Sequence, residues 1–286
     1  MTPIHLTNLA TFYAETGDGP PILWLSGGGG RASDWGPDYA EAFADGYRSI
    51  MFENRGSLGT TCRAPLPWTI ADFAADTAEL LTKLCDRPAV VIGHSLGALI
   101  MLQLAADYPE LVTLGISLAG AARGHHGWIG DYMRAEVAYR DAGGSLPPAF
   151  SATHYAAMMY PASALQDPDL WPMLREALED PDAVANTEAT VATQWVPCID
   201  FDLVDRLPLV TSPLEIVCFS EDVCAPPAYS AELAELAPQA RYHEIEGLGH
   251  GSLFGHRPKQ VSDFLRELVD NHFDAQRRST TSEDDR

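Results

Sequence analysis

Val90-Val91-Ile92-Gly93-His94-Ser95-Leu96-Gly97-Ala98-Leu99 is the stretch that decides the fold. A β-branched run stops at a glycine, a serine sits between two glycines, and an almost continuous apolar helical pattern follows. This is the G-x-S-x-G nucleophile elbow, with a strand before it and a helix after it. A serine at the tip of such a turn projects its hydroxyl out of the sheet. Side chains two positions to either side would collide with neighbouring backbone, so glycines stand there. The helix that begins at once aims its N-terminal N–H groups and dipole at any negative charge forming nearby. Ser95 is the candidate nucleophile.

On either side of this turn, strands and helices alternate. Residues 11–15, 21–25 and 47–52 read as early strands, and a T-x-x-D cap at Thr69 and Asp72 opens a helix. Its apolar residues Ile70, Phe73, Ala74, Thr77, Leu80, Leu81 and Leu84 recur at helical spacing. Residues 111–118 form a further strand. The rhythm fails after Ala122. From Gly124 to about Leu207 lie helical patches rich in aromatics and methionine, broken by Gly143-Gly144, Pro147-Pro148, Pro161 and Pro181. Alternation resumes with a strand at 214–219, a helix near 228–236, a strand at 241–245 and a last helix burying Val261, Phe264, Leu265, Leu268 and Val269. Such alternation calls for a mostly parallel sheet covered on both faces.

At 286 residues, 46 % apolar and 20 % charged, the chain has the composition of a soluble globular protein with a large core. Its net charge of −22 repels duplex nucleic acid and anionic membranes, and neither is an expected partner. No apolar run is long enough to cross a bilayer, and residues 1–17 lack the pattern of a signal peptide. The cysteines Cys62, Cys85, Cys198, Cys218 and Cys224 are odd in number and without C-x-x-C spacing. Reduced thiols in a cytoplasm are expected, and neither a disulfide framework nor a zinc site. No metal or cofactor is called for, and oligomeric state is left open.

The layout resembles the α/β-hydrolase superfamily over the whole chain except its tail. Within it, the likeness is to cap-bearing serine esterases and enol-lactonase-like hydrolases. The resemblance implies a mostly parallel eight-stranded sheet flanked by helices, with an inserted helical cap. Residues 1–122 and 208–275 would form the core and 123–207 the cap. Residues 276–286, polar and short of apolar side chains, are expected to lack fixed structure.

In this superfamily the chain order is serine, acid, histidine. Asp222, in Phe219-Ser220-Glu221-Asp222-Val223-Cys224-Ala225-Pro226-Pro227, resembles the family's acid turn, with Glu221 as its rival. The loop Gly120-Ala121-Ala122-Arg123-Gly124, an alternative source of the acid in some relatives, has no carboxylate. His250, in Glu246-Gly247-Leu248-Gly249-His250-Gly251, resembles the catalytic histidine, and its flanking glycines would free the backbone for an uncommon shape. His256 competes with it. The oxyanion hole would use the Leu96 amide and one from Ser26-Gly27-Gly28-Gly29-Gly30, where relatives usually carry His-Gly. Gly28 is the expected donor, the other glycines remaining open. Glu53-Asn54-Arg55-Gly56-Ser57-Leu58-Gly59-Thr60 resembles a structural turn of the family, making Arg55 a scaffold residue.

The aromatic content of the insertion points to an apolar pocket wall over Ser95, with Trp128, Tyr132, Tyr155, Met159 and Trp195 as its candidate residues. Taken singly, each of these is better explained by packing; the pocket wall is a reading of the group as a whole. Arg123 would pair with a substrate carboxylate or form a hinge salt bridge. The implied activity is hydrolysis of an ester or lactone of a small to medium hydrophobic molecule through an acyl-enzyme. Thioester hydrolysis, and non-hydrolytic lyase, epimerase or cyclase chemistry on the same fold, are the alternatives.

Overall fold

The computed structural model describes residues 1–284. Strands β1 (Thr2–His5), β2 (Leu9–Thr16), β3 (Pro21–Leu25), β4 (Arg48–Phe52) and β5 (Thr61–Cys62) precede helix α1 (Ile70–Leu84). Strand β6 (Ala89–His94) runs through Ser95 into α2 (Leu96–Asp107), and β7 (Val112–Leu118) follows. Helices α3 (Gly127–Asp141), α4 (Pro148–Met159), α5 (Ala162–Leu165), α6 (Leu170–Glu179) and α7 (Pro181–Asp200) then intervene before β8 (Leu214–Phe219), α8 (Pro227–Leu236), β9 (Ala240–Ile245) and α9 (Pro258–Asp284). The fold is an α/β-hydrolase fold.

Among the described residues the sheet has nine strands where the resemblance implies eight: the order is β1-β2-β4-β3-β6-β7-β8-β9, and the two-residue β5 is the addition, paired on β2. β2 is antiparallel to β1 and β4, and every pair from β4 to β9 along this order is parallel. Chain order reverses at β3, which lies between β4 and β6. A crevice opens beyond the carboxyl ends of the strands at such a switch point, and Ser95 stands at its edge.

Period-two alternation sorts the strand side chains onto two cores. Leu23 and Leu25 join α1 and α2 on one face, while Ile22 and Trp24 pack with Trp35, Tyr39, Phe43 and the α9 residues Val261 and Leu265 on the other. Helix α2 is buried from Leu96 to Ala105, in keeping with its lack of a polar side. At the start of α1, Asp72 Oδ2 accepts the Thr69 amide at 2.8 Å while Thr69 Oγ1 accepts that of Asp72 at 3.3 Å, the reciprocal cap its spacing predicts.

The two ends of the inserted helices meet. Leu203 N donates to Ala122 O at 3.0 Å, and Arg123 bridges Asp202. The Arg123 side chain pairs with Glu232 on α8, so it forms the hinge salt bridge and does not line the cavity beside Ser95. The tail expected to lack structure from residue 276 instead continues α9 to Asp284. Ala275 and Gln276 favour helix, no glycine or proline interrupts, and Arg277 pairs with Asp274 one turn earlier. Residues 285–286 lie outside the described residues.

Arg55 is buried, its Nε 2.8 Å from Asp76 Oδ2, its Nη2 donating to Asp72 O, its guanidinium 5.4 Å from the Trp68 and Phe73 ring centres. Replacing Arg55 with methionine would strand a buried carboxylate. Urea unfolding should show a loss of about 3–5 kcal/mol.

Candidate active site

Ser95 adopts φ 55° and ψ −117°, a conformation non-glycine residues rarely take, costing of order 1–3 kcal/mol. It is enforced from both sides. A Cβ on Gly93 would lie 2.1 Å from the Gly97 carbonyl oxygen, and one on Gly97 2.2 Å from that of Leu25. The two glycines are therefore steric necessities: they let α2 descend directly onto β6 and β3.

Asp222 follows β8 and is buried. Its Oδ1 accepts the amides of Cys224 and Ala225, each at 2.8 Å, and its Oδ2 lies 2.7 Å from His250 Nδ1. A carboxylate oriented by two amides can only accept, so Nδ1 carries the proton and His250 Nε2 is left as the basic nitrogen. Glu221 is exposed. His256 Nδ1 is bonded to Ser252 Oγ at 2.9 Å and does not line the cavity that holds Ser95. The glycines flanking His250 serve space, not unusual dihedrals, since neither has a positive φ. A Cβ on Gly249 would come within 3.1 Å of Met159 O and Pro161, and one on Gly251 within 3.1 Å of the Met159 side chain. The end of α4 packs onto this loop, and Gly251 N donates to Met159 O.

His94 ties the two loops together. Its Nε2 lies 2.9 Å from the His250 carbonyl oxygen, which can only accept, so the proton is assigned to Nε2. Burial, with His250 alongside, holds the His94 imidazole well below the usual range and keeps it neutral. The residue before the candidate nucleophile thus fixes the backbone of the candidate base.

In the glycine loop, the Gly29 amide donates to Gln194 Oε1 and the Gly30 amide to Gly27 O. Among the described residues, no protein acceptor takes the Gly28 or Leu96 amide. Both remain available to a developing oxyanion. Ser26, where relatives carry histidine, closes the loop: its hydroxyl donates to Arg31 O and accepts from Trp35 Nε1.

A cavity of about 280 Å³ brings together Ser95, His250, Gly28, Tyr132, Tyr155, Met159 and Trp195. Trp128 is not among its lining residues: it sits near the start of α3, 63 % exposed, stacked on the Tyr132 ring. The Tyr132 hydroxyl is bonded to His154 Nε2 at 2.5 Å, and that of Tyr155 donates to Glu136 Oε1 at 3.0 Å. Glu136 also pairs with the buried Arg140 at 3.0 Å. With these hydroxyls engaged elsewhere, the two tyrosines contribute chiefly ring surface, alongside Ile129, Met133 and Met158. His125 also lines the cavity; burial first, then His250, pushes its imidazole down to about 4, and its Nδ1 is buried without a partner. By sequence His125 reads as a packing residue of the insertion, with substrate contact as the alternative, whereas the buried α7 residues Asn186, Thr190 and Gln194 do not stand out. A polar stripe at i, i+4 and i+8 is the signal that could have found the latter.

Asp222, Cys224 and His250 place one potential metal-ligand atom each within 4.8 Å of one another. The carboxylate is already committed to two amides and an imidazole, and burial raises the Cys224 thiol well above its usual value, opposing a thiolate ligand. The donor set suits proton transfer better than metal binding.

A profile described as the alpha/beta hydrolase family matches residues 22–264. A Mycobacterium tuberculosis protein provisionally named non-heme bromoperoxidase BpoC is 33 % identical over 90 % of this chain and 95 % of its own. Its crystal structure superposes with a TM-score of 0.82 at 26 % identity, covering 92 % and 96 % of the two chains. The enol-lactonase of Burkholderia xenovorans shares the fold, with a TM-score of 0.80 at 21 % identity over 94 % and 98 %.

His125 and His94 link stability to pH. The unfolded chain protonates histidine near 6.5, whereas folded His125 resists until about 4. Between these values the unfolded state binds more protons, so this contribution to stability is lost as pH falls. Urea midpoints of His125→Gln should fall less steeply than those of the parent from pH 6.5 to 4.

Proposed function

Because this chain belongs to the alpha/beta hydrolase family, we propose that it is a serine hydrolase cleaving an ester or lactone of a small to medium hydrophobic molecule. The observation that carries this reading is a strained serine and an acid-held imidazole lining one cavity. In the reaction, His250 Nε2 takes the Ser95 proton as Oγ attacks the carbonyl carbon. Negative charge collects on the carbonyl oxygen, facing the Leu96 and Gly28 amides and the start of α2. His250 then protonates the leaving oxygen, and water, activated by the same imidazole, releases the acid from the acyl-enzyme. Asp222 keeps the ring in the required tautomer and stabilises the imidazolium.

The apolar lining from Ile129, Met133, Met158 and the tyrosine rings supports a hydrophobic acyl or alcohol portion over a sugar or polyanion. The mycobacterial relative is provisionally named a non-heme bromoperoxidase, which makes peroxide the co-reactant to test beside water. Peroxide-dependent bromide oxidation is therefore assayed alongside hydrolysis. A cytoplasmic setting belongs to the same proposal and is supported by the free thiols. Among the described residues, no helix is long and apolar enough to cross a membrane.

A panel of esters, thioesters and lactones of graded chain length, run in ¹⁸O-water, tests the reading. Solvent oxygen should appear in the acid product, which lyase, epimerase or cyclase chemistry would not give. Ser95→Ala should lower kcat by at least about 10⁴-fold and block phosphonate labelling. Undiminished turnover in that variant would falsify the acyl-enzyme.

A further inference from the structure

Four consecutive glycines, Gly27 to Gly30, make a poor platform for a hydrogen bond that must be preorganised, because each has the widest backbone freedom of any residue. The inserted helices restrain them. Gln194 Oε1 accepts the Gly29 amide at 2.9 Å, and Asn186 Nδ2 donates to the Gly29 carbonyl at 2.8 Å. Gly29, at φ 78°, is thus gripped through both backbone polar groups. The far ends of the same carboxamides are anchored in the core. Gln194 Nε2 donates to Arg55 O at 2.8 Å, and Asn186 Oδ1 accepts the Leu58 amide at 2.9 Å. Both residues are 1 % exposed, and the Arg55 turn that receives Gln194 is itself locked by the Asp76 pair. Next to Gln194 in the chain, the Trp195 indole lies against Gly28, where an added Cβ would be 3.2 Å from it.

We propose that Asn186 and Gln194 are positioning residues for the oxyanion hole, holding the Gly28 amide in line through Gly29, so that α7 remains seated during turnover. This rests on the reading of Gly28 and Leu96 as oxyanion donors. A lid of freely moving helices would break four hydrogen bonds made by two buried carboxamides at each opening and slacken the loop. The inserted segment is then divided in function: α7 completes the catalytic frame, and entry to the cavity is left to α3, α4 and α6.

The test uses the full chain, the best ester from the panel, and the variants Gln194→Leu, Asn186→Leu and the isosteric Asn186→Asp. The last keeps an acceptor for Leu58 but turns an acceptor onto the Gly29 carbonyl. For each, kcat and KM are measured beside the affinity for a trifluoromethyl ketone, which forms a tetrahedral adduct on the serine, and the Tm. Removing an oxyanion donor outright costs roughly 10²–10³ in kcat, so displacing one is expected to cost roughly 10- to 100-fold. KM should stay within about twofold. Adduct affinity should weaken in step with kcat in variants whose Tm lies well above the assay temperature, a split that a purely structural role would not produce. Asn186→Asp keeps the test decisive if the leucine variants do not fold. Folded variants with parental kcat and adduct affinity, or with a raised KM alone, would overturn the proposal. Ser95→Ala separates the two failures: if it abolishes adduct formation while the clamp variants behave as the parent, the serine reading stands and only the clamp falls.

Discussion

The close approach of three backbones at one point governs this molecule. Strand β6, the first turn of α2 and the end of β3 come so near one another that a single methyl group at residue 93 or 97 would overlap a carbonyl oxygen. That contact holds Ser95 at a positive φ at the carboxyl end of the interior strand β6. The strain at one residue is sustained by the cores above and below it, including α2, buried from Leu96 to Ala105. Everything else in the site is placed relative to that fixed point.

The imidazoles around it divide into distinct electrostatic roles. His250 is held by a carboxylate whose other oxygen is saturated by backbone amides. His94 and His125 are kept neutral chiefly by burial, which penalises the charged form. Neutral neighbours suit the proposed reaction, in which an imidazolium forms on His250 and a second cation nearby would oppose it. His94 further joins the serine turn to the histidine loop by a direct hydrogen bond, linking residues 156 positions apart in the chain.

The inserted helices do two physically different things. Through α3 and α4 they supply ring faces and thioethers, with polar ends drawn away into the buried Glu136–Arg140 pair and its tyrosine and histidine partners. Through α7 they carry a polar stripe that meets the glycine loop and the Arg55 turn. The first shapes an apolar cavity, and the second replaces, by tertiary contact, rigidity that a run of glycines lacks.

The elbow, its flanking strand and helix, the alternation around it, the acid turn and the histidine loop were legible as one-dimensional patterns. Each arises from constraints acting within about ten residues: hydrophobic period, glycine at forbidden contacts, a cap at Thr69. The edge strand β1 was not legible because its residues are largely exposed and carry no alternation. Trp128 was misplaced as a lining residue because composition says that a segment is aromatic but not which way a ring faces. The helical course of residues 276–284 was missed because polarity alone does not distinguish a solvated helix from a loose tail. Asn186 and Gln194 look like ordinary polar residues until a distant loop is laid against them. The sequence by itself determined the parallel part of the sheet, the elbow and the candidate triad; only tertiary structure decided which side chains share the cavity and which hold the glycines still, because the contacts that grip the glycines join segments more than a hundred residues apart.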